Sequence, residues 1–125
     1  MDRGEIGRRG EEYAARYLMG CGFRIVERNF RAKVGEIDIV AVDGDELVFV
    51  EVRYRRSAGH GTPAETVGPR KRLRLVRAAA LFLQARGASD TPCRFDVVAL
   101  RPGRESGMDV EHYRNAFDCE GRPFG

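Results

Sequence analysis

The stretch Gly35-Glu-Ile-Asp-Ile-Val-Ala-Val42, followed by Asp43-Gly44-Asp45-Glu46 and Leu47-Val-Phe-Val-Glu-Val-Arg53, decides the fold. Two apolar, β-branched runs flank an Asp-Gly step, which is a strong short-range hairpin signal. A four-residue loop symmetric about Gly44 and Asp45 sets residues whose numbers sum to 89 opposite each other. Asp38 then faces Glu51, and Glu36 faces Arg53. Directly opposed residues point to one side of the sheet with Cβ atoms roughly 4.5–5.5 Å apart. Two carboxylates so placed repel unless a cation lies between them, and a divalent metal ion is the simplest such cation.

Both faces of this hairpin are apolar over much of their length. Val40, Val42, Leu47 and Phe49 share the charged face, while Ile37, Ile39, Val48, Val50 and Val52 share the other. That predicts a central position in a covered sheet, with the acidic residues at one end. Upstream, residues from about 4 to 20 read as an amphipathic helix ended by Gly20 and Gly22, followed by a short strand over 22–28. Downstream, residues 55–69 have loop composition. Pro69 starts a helix running to about Arg86, with Gly87 as its stop and Leu73, Val76, Ala80 and Leu83 as its inner stripe. Cys93 to Leu100 is another strand, and Met108 to Tyr113 an edge strand. The expected class is α/β, in the order α-β-β-β-α-β-β, with residues 1–125 forming one domain.

The 125 residues are enough for a real core, and 42 % hydrophobic with 33 % charged residues is a globular balance. No run of 18 or more apolar residues occurs and Met1 to Ile6 lacks the apolar stretch of a secretory signal, so no membrane partner is expected. Cys21, Cys93 and Cys119 lack metal-finger spacing and read as reduced thiols, which points to a cytoplasmic location. A net charge of +3 suits an anionic partner. Only Lys33 and Lys71 are lysine among 22 basic residues; the arginine bias is most simply compositional.

Two oxygen-donating side chains, with water and a substrate phosphate, are a common way to hold magnesium, which keeps most of its hydration shell. Such an ion polarises a phosphodiester, and a neighbouring cation such as Arg53 steadies charge building on it. Glu11 lies beside the inward stripe of the first helix, where it can reach the site. Glu12 has Arg16 and Arg8 one turn away and reads as a solvated helix charge. From the hairpin geometry alone a plainer alternative stays open. Glu36 and Arg53 then form an ordinary ion pair worth about 0.2–1 kcal/mol, and Asp38 and Glu51 lie at a solvated sheet end compensated by Arg55 or Arg31. His60 and His112 read as exposed, and Tyr54 and Tyr113 as packing residues.

At Gly35-Glu36-Ile37-Asp38 with Phe49-Val50-Glu51-Val52-Arg53 the chain resembles the YraN-like bacterial family. The likeness extends over most of the chain: Gly10-Glu11 with Ala14 and Leu18, Arg28-Asn29-Phe30-Arg31, Tyr54 to Ser57, Lys71, Cys93 to Val98 and Ala116-Phe117. That family is assigned to the restriction-endonuclease-like PD-(D/E)xK nuclease superfamily, near the archaeal Holliday-junction resolvases. The resemblance implies a central mixed β-sheet flanked by helices and a magnesium or manganese ion. Its ligands would be Asp38, Glu51, the Val52 carbonyl and Glu11, with Glu36 and Arg53 in the catalytic group. The implied function is a metal-dependent endonuclease that hydrolyses phosphodiester bonds in structured or branched DNA. Arg53 departs from the superfamily lysine, and arginine, unlike lysine, effectively never loses its proton. A non-catalytic nucleic-acid-binding module with an impaired site is therefore the alternative. Arg55, Arg56, Arg70, Lys71 and Arg74 are the expected nucleic-acid contacts. A homodimer is in keeping with a protein that must address two strands.

Overall fold

A computed structural model describes residues 3–54, 67–103 and 107–122, with side chains from Gly7 onward. The elements are α1 (Arg3–Gly20), β1 (Arg24–Ala32), β2 (Gly35–Asp43), β3 (Glu46–Tyr54), α2 (Pro69–Ala85), β4 (Cys93–Pro102) and β5 (Met108–Phe117). This is an α/β fold in the order α-β-β-β-α-β-β. One five-stranded sheet runs β1-β2-β3-β4-β5. Its neighbours are antiparallel except β3 and β4, which are parallel. A parallel pair needs a long crossover, and α2 lies within it.

The sheet is covered on both faces. Ala14, Ala15 and Leu18 of α1 pack on Ile39, Ala41, Val48, Val50, Val98 and Leu100. Leu75, Ala78, Ala79 and Phe82 of α2 pack on Val40, Phe49, Phe95 and Val97. Phe82 contacts Phe30 and Phe49 edge-on, at 5.2 and 5.8 Å between ring centres, and Phe49, Phe95 and Phe117 continue the aromatic row. This row chooses the inner face of α2. Leu75, Ala78, Ala79, Phe82 and Leu83 are buried, whereas Leu73 and Ala80, expected inside, are exposed. The helix is apolar on more than one side, and the aromatic contact at Phe82 decides between them. Arg72 is buried as well, donating to the carbonyls of Val67 and Gly121 and so holding the chain after β5 against α2.

The hairpin register is as expected from Ile39↔Val50 to Asp43↔Glu46, every pair summing to 89. Asp43 and Glu46 pair, so the turn has two residues, Gly44 and Asp45, rather than four. Gly44 adopts φ 63, which glycine reaches without strain. The ladder stops at Ile39↔Val50, so neither expected opposition, Asp38 with Glu51 or Glu36 with Arg53, forms as a backbone pair. Glu36 instead stands opposite Arg31 of β1, with 3.7 Å between the charged groups. The outer strands are longer than predicted. β1 runs through a bulge between Ile25 and Glu27, and β5 runs through another to the buried Phe117. Bulges break the two-residue alternation by which a strand is recognised.

Candidate active site

The end of the β2–β3 ladder makes the site. Ile37 packs with Val40 and Phe49 on the α2 face, yet Ile39 packs with Val48 and Val50 on the α1 face. Two odd-numbered residues on opposite faces mean that the alternation of β2 slips at Asp38. The β1 residue between the pairs Arg28↔Ile39 and Phe30↔Ile37 is Asn29, at φ 55. Asparagine tolerates this left-handed conformation better than most side chains. Where the backbones part, Oδ2 of Asp38 accepts the Val52 N–H at 2.8 Å, so a side chain replaces a ladder bond. The N–H and C=O of one extended residue point the same way. The Val52 carbonyl therefore also faces the gap.

Glu51 is buried, with 5 % exposure, and follows Phe49 on the face toward α2. Lys71 of α2 brings its ammonium to 3.8 Å from Glu51. Burial pushes the Glu51 carboxyl up to about 8, and the neighbouring Asp38 charge adds to this, while Lys71 and Arg53 oppose it. Burial also raises Asp38, against the lowering effect of the Val52 N–H and of its hydrogen bond with Glu51. Burial thus raises both carboxyls, and the titration of each depends on the other. Glu11 is raised too, by burial and then by Asp38, with the Asn29 side-chain bond lowering it.

These groups open into one cleft of about 220 Å³. Its walls are Glu11 with Gly7 and Gly10 from α1, Glu36 and Asp38 from β2, Glu51, Val52 and Tyr54 from β3, and Lys71 from α2. The two glycines and Glu11 share one side of α1 by their spacing, and a Cβ at Gly10 would meet Leu100 of β4 at 3.4 Å. Among the described residues no group of three or more His, Cys, Asp or Glu side chains gathers as a metal-binding set. The donors that converge are two carboxylates and, by strand stereochemistry, one carbonyl. Such a set fits a hard divalent ion that keeps several waters. It does not resemble a structural zinc site.

Asp38, Glu51, Val52, Glu11 and Glu36 are therefore brought together, although Glu36 is tied to Arg31. Arg53 is not among the lining residues, but its charge acts on Glu51. Lys71, expected as a backbone contact, stands in the acidic cleft itself. Arg74 borders a neighbouring groove, and Arg70 is exposed on the first turn of α2. Arg55, Arg56 and His60 lie outside the described residues. Asn29 enters the sequence reading only through the family likeness, with no role of its own; its signal is an asparagine just past the expected end of the first strand. Glu12 is paired as expected with Arg16, at 3.1 Å, and with Arg28 rather than Arg8.

His112 is a correction. It is not an exposed histidine but is buried, with Nε2 at 2.8 Å from Oδ2 of the fully buried Asp96 and Nδ1 near the Tyr17 hydroxyl. Arg94 and the Asn115 N–H complete the environment of Asp96, and Arg94 also binds Asp43 and Glu46. No helix among the described residues is long and apolar enough to cross a membrane.

The model of the family described as "Uncharacterised protein family UPF0102" matches residues 10–100, which include every described residue of the cleft except Gly7. A UPF0102 protein of Moorella thermoacetica is 52 % identical, covering 88 % of this chain and 94 % of its own length. One from Symbiobacterium thermophilum is 46 % identical over 90 % of this chain and 95 % of its own. One from Anaeromyxobacter dehalogenans is 49 % identical over 97 % of this chain and 90 % of its own.

Proposed function

Since this chain belongs to the Uncharacterised protein family UPF0102, we propose a function that its acidic cleft supports: metal-dependent endonuclease action on structured or branched DNA. The observation that carries the proposal is the pair of Asp38, half-buried, and Glu51, buried, at the sheet end where the β2–β3 ladder has stopped. Neighbouring acids whose carboxyls are both raised form a poor structural contact and a good cation site, because a cation between them favours the ionised form of both.

Asp38, Glu51 and the Val52 carbonyl would hold magnesium or manganese, which polarises a phosphodiester and supplies an activated water. The chain's own residues do the rest. The Val52 N–H fixes the Asp38 carboxylate, and Glu11 from α1 lines the same cleft. Lys71 is the cation that meets a phosphate entering beside Glu51. Its compact ammonium has three rotatable donors and suits a phosphate oxygen whose position shifts during an in-line attack.

Cleavage of flap and four-way-junction DNA with added magnesium or manganese, by the parent, Asp38→Ala and Glu51→Ala proteins, tests this directly. Loss of cleavage in both variants supports the proposal; equal cleavage in all three removes it. A second function, a non-catalytic nucleic-acid-binding module, is favoured by the Glu51–Lys71 pair, which partly neutralises the site from within, and by arginine at position 53. Cleavage appearing only in the Arg53→Lys protein would select it.

A further inference from the structure

Beside the acidic cleft lies a larger groove of about 520 Å³ between the β1–β2 turn and α2. Arg31 and Lys33 line it from the turn, and Lys71 and Arg74 from the helix. Glu36 and Lys71 line both hollows, so the basic groove runs into the acidic one. Gly35 builds its floor. A Cβ at this position would lie 2.9 Å from the Arg74 carbonyl oxygen, a distance that side chains do not tolerate. Only glycine lets the turn seat directly on the helix and bring the two cation pairs to one hollow.

The charges are available. Among the described residues Lys33 and Arg74 have no carboxylate partner. Arg31 is held only loosely, at 3.7 Å from an exposed Glu36. A groove with cations from two elements, adjoining carboxylates that would hold a divalent ion, has the charge pattern of a polyanion path.

We propose that this groove binds the sugar–phosphate backbone of the strand whose scissile phosphate enters the acidic cleft, through Lys33 and Arg74 with Arg31 in support. The proposal rests on the nuclease function and names the track its substrate follows. Contacts of this kind position a strand without reading its bases.

The test is fluorescence anisotropy of a fluorescein-labelled flap DNA with EDTA present, from low to moderate salt, in parallel with cleavage under magnesium. The full-length parent, the Lys33→Ala/Arg74→Ala double variant and Asp38→Asn are compared, with thermal melting to confirm folding. Each lost phosphate contact reduces the slope of log affinity against log salt by about 0.7–0.9. The double variant is expected to lose about 1.5 from that slope and to weaken equally on unrelated sequences, while Asp38→Asn keeps the parental slope. A double variant with the parental slope and affinity overturns the groove even if the parent cleaves DNA. Cleavage unchanged in Asp38→Asn, with binding weakened in the double variant, overturns the nuclease function and leaves the groove. A parent that does not bind the flap, or releases it to poly-glutamate as readily as to unlabelled DNA, overturns the groove as a nucleic-acid track.

Discussion

The Asp38 carboxylate accepts the backbone N–H of Val52 at 2.8 Å, at the point where β2 and β3 stop pairing through their backbones. A side chain thus holds the two strands apart and together at once. Asp38 and the adjacent Glu51, which Lys71 approaches to 3.8 Å, line the cleft between α1 and α2.

Removing that acceptor has a structural effect separate from any catalytic one. Asp38→Ala leaves the Val52 N–H without its partner and is expected to lower stability by about 1–3 kcal/mol. Asp38→Asn keeps an acceptor oxygen and loses less. Urea unfolding of the three proteins without metal checks the order, and a more stable Asp38→Ala would contradict the role of the bond.

The Glu51 carboxyl gives the metal-free protein a pH profile. In the fold it releases its proton at about 8, against 4.5 for an ordinary glutamate. Over that window the native state binds more protons than the unfolded chain, so stability falls as pH rises. Below about 4.5 both states are protonated and the native form is not penalised; above about 8 the full penalty applies. Asp38 and Glu11 are raised as well and act in the same direction. Asp96 is lowered from 3.8 and titrates on the acid side of this window. The urea midpoint should therefore drop between pH 6 and pH 9 in EDTA, and the drop should shrink in Glu51→Gln. A parental midpoint that rises with pH would contradict the assignment.

Lys71 is expected to matter for rate more than for folding. Its ion pair is 40 % exposed on the lysine side, so its contribution to stability is small. Lys71→Ala should reduce cleavage by about 100-fold or more while leaving the melting temperature near that of the parent. Lys71→Arg should recover part of the loss, because a planar guanidinium replaces the charge but not the compact donor. Cleavage at the parental rate in Lys71→Ala would remove the lysine from the mechanism.

The Asp96–His112 pair supports the opposite end of α1 and should behave as structure. Asp96 is fully buried and His112 nearly so, and Asp96 is also held by Arg94 and the Asn115 N–H. Asp96→Ala strands Arg94 and His112 without their common partner and is expected to cost about 3–5 kcal/mol. Chemical unfolding measures it. A loss below 1 kcal/mol would show that the network carries little of the fold.

Much of this was legible in the sequence, and the failures have physical causes. The Asp-Gly turn and the β-branched runs predict the hairpin register because a two-residue period leaves few alternatives. That register brings Asp38 and Glu51 to one end of the hairpin, but their direct opposition lies beyond the last ladder pair, Ile39↔Val50. What it could not show was where the ladder ends. A slip of alternation at Asp38 opposite a left-handed Asn29 is a tertiary event with no period of its own. The inner face of α2 differs from the expected stripe because Leu73 lies on a different side from Leu75 and Phe82, and the rings of Phe30 and Phe49 beneath Phe82 choose between them. The sequence marks Lys71 as a nucleic-acid contact but not as a neighbour of Glu51, since its approach to that carboxylate depends on how α2 crosses the sheet. His112 looked like an edge-strand polar residue; its partner Asp96 lies on the neighbouring strand and is visible only once β4 and β5 pair.

The most direct measurement is calorimetric titration of magnesium and of manganese into the parent and Asp38→Asn proteins at pH 7. The parent should bind one ion and release protons as it does so, because Glu51 is largely protonated there. Asp38→Asn should bind at least about 10-fold more weakly. Equal heats and equal affinity in the two proteins, or no binding by the parent, would contradict a shared cation between Asp38 and Glu51.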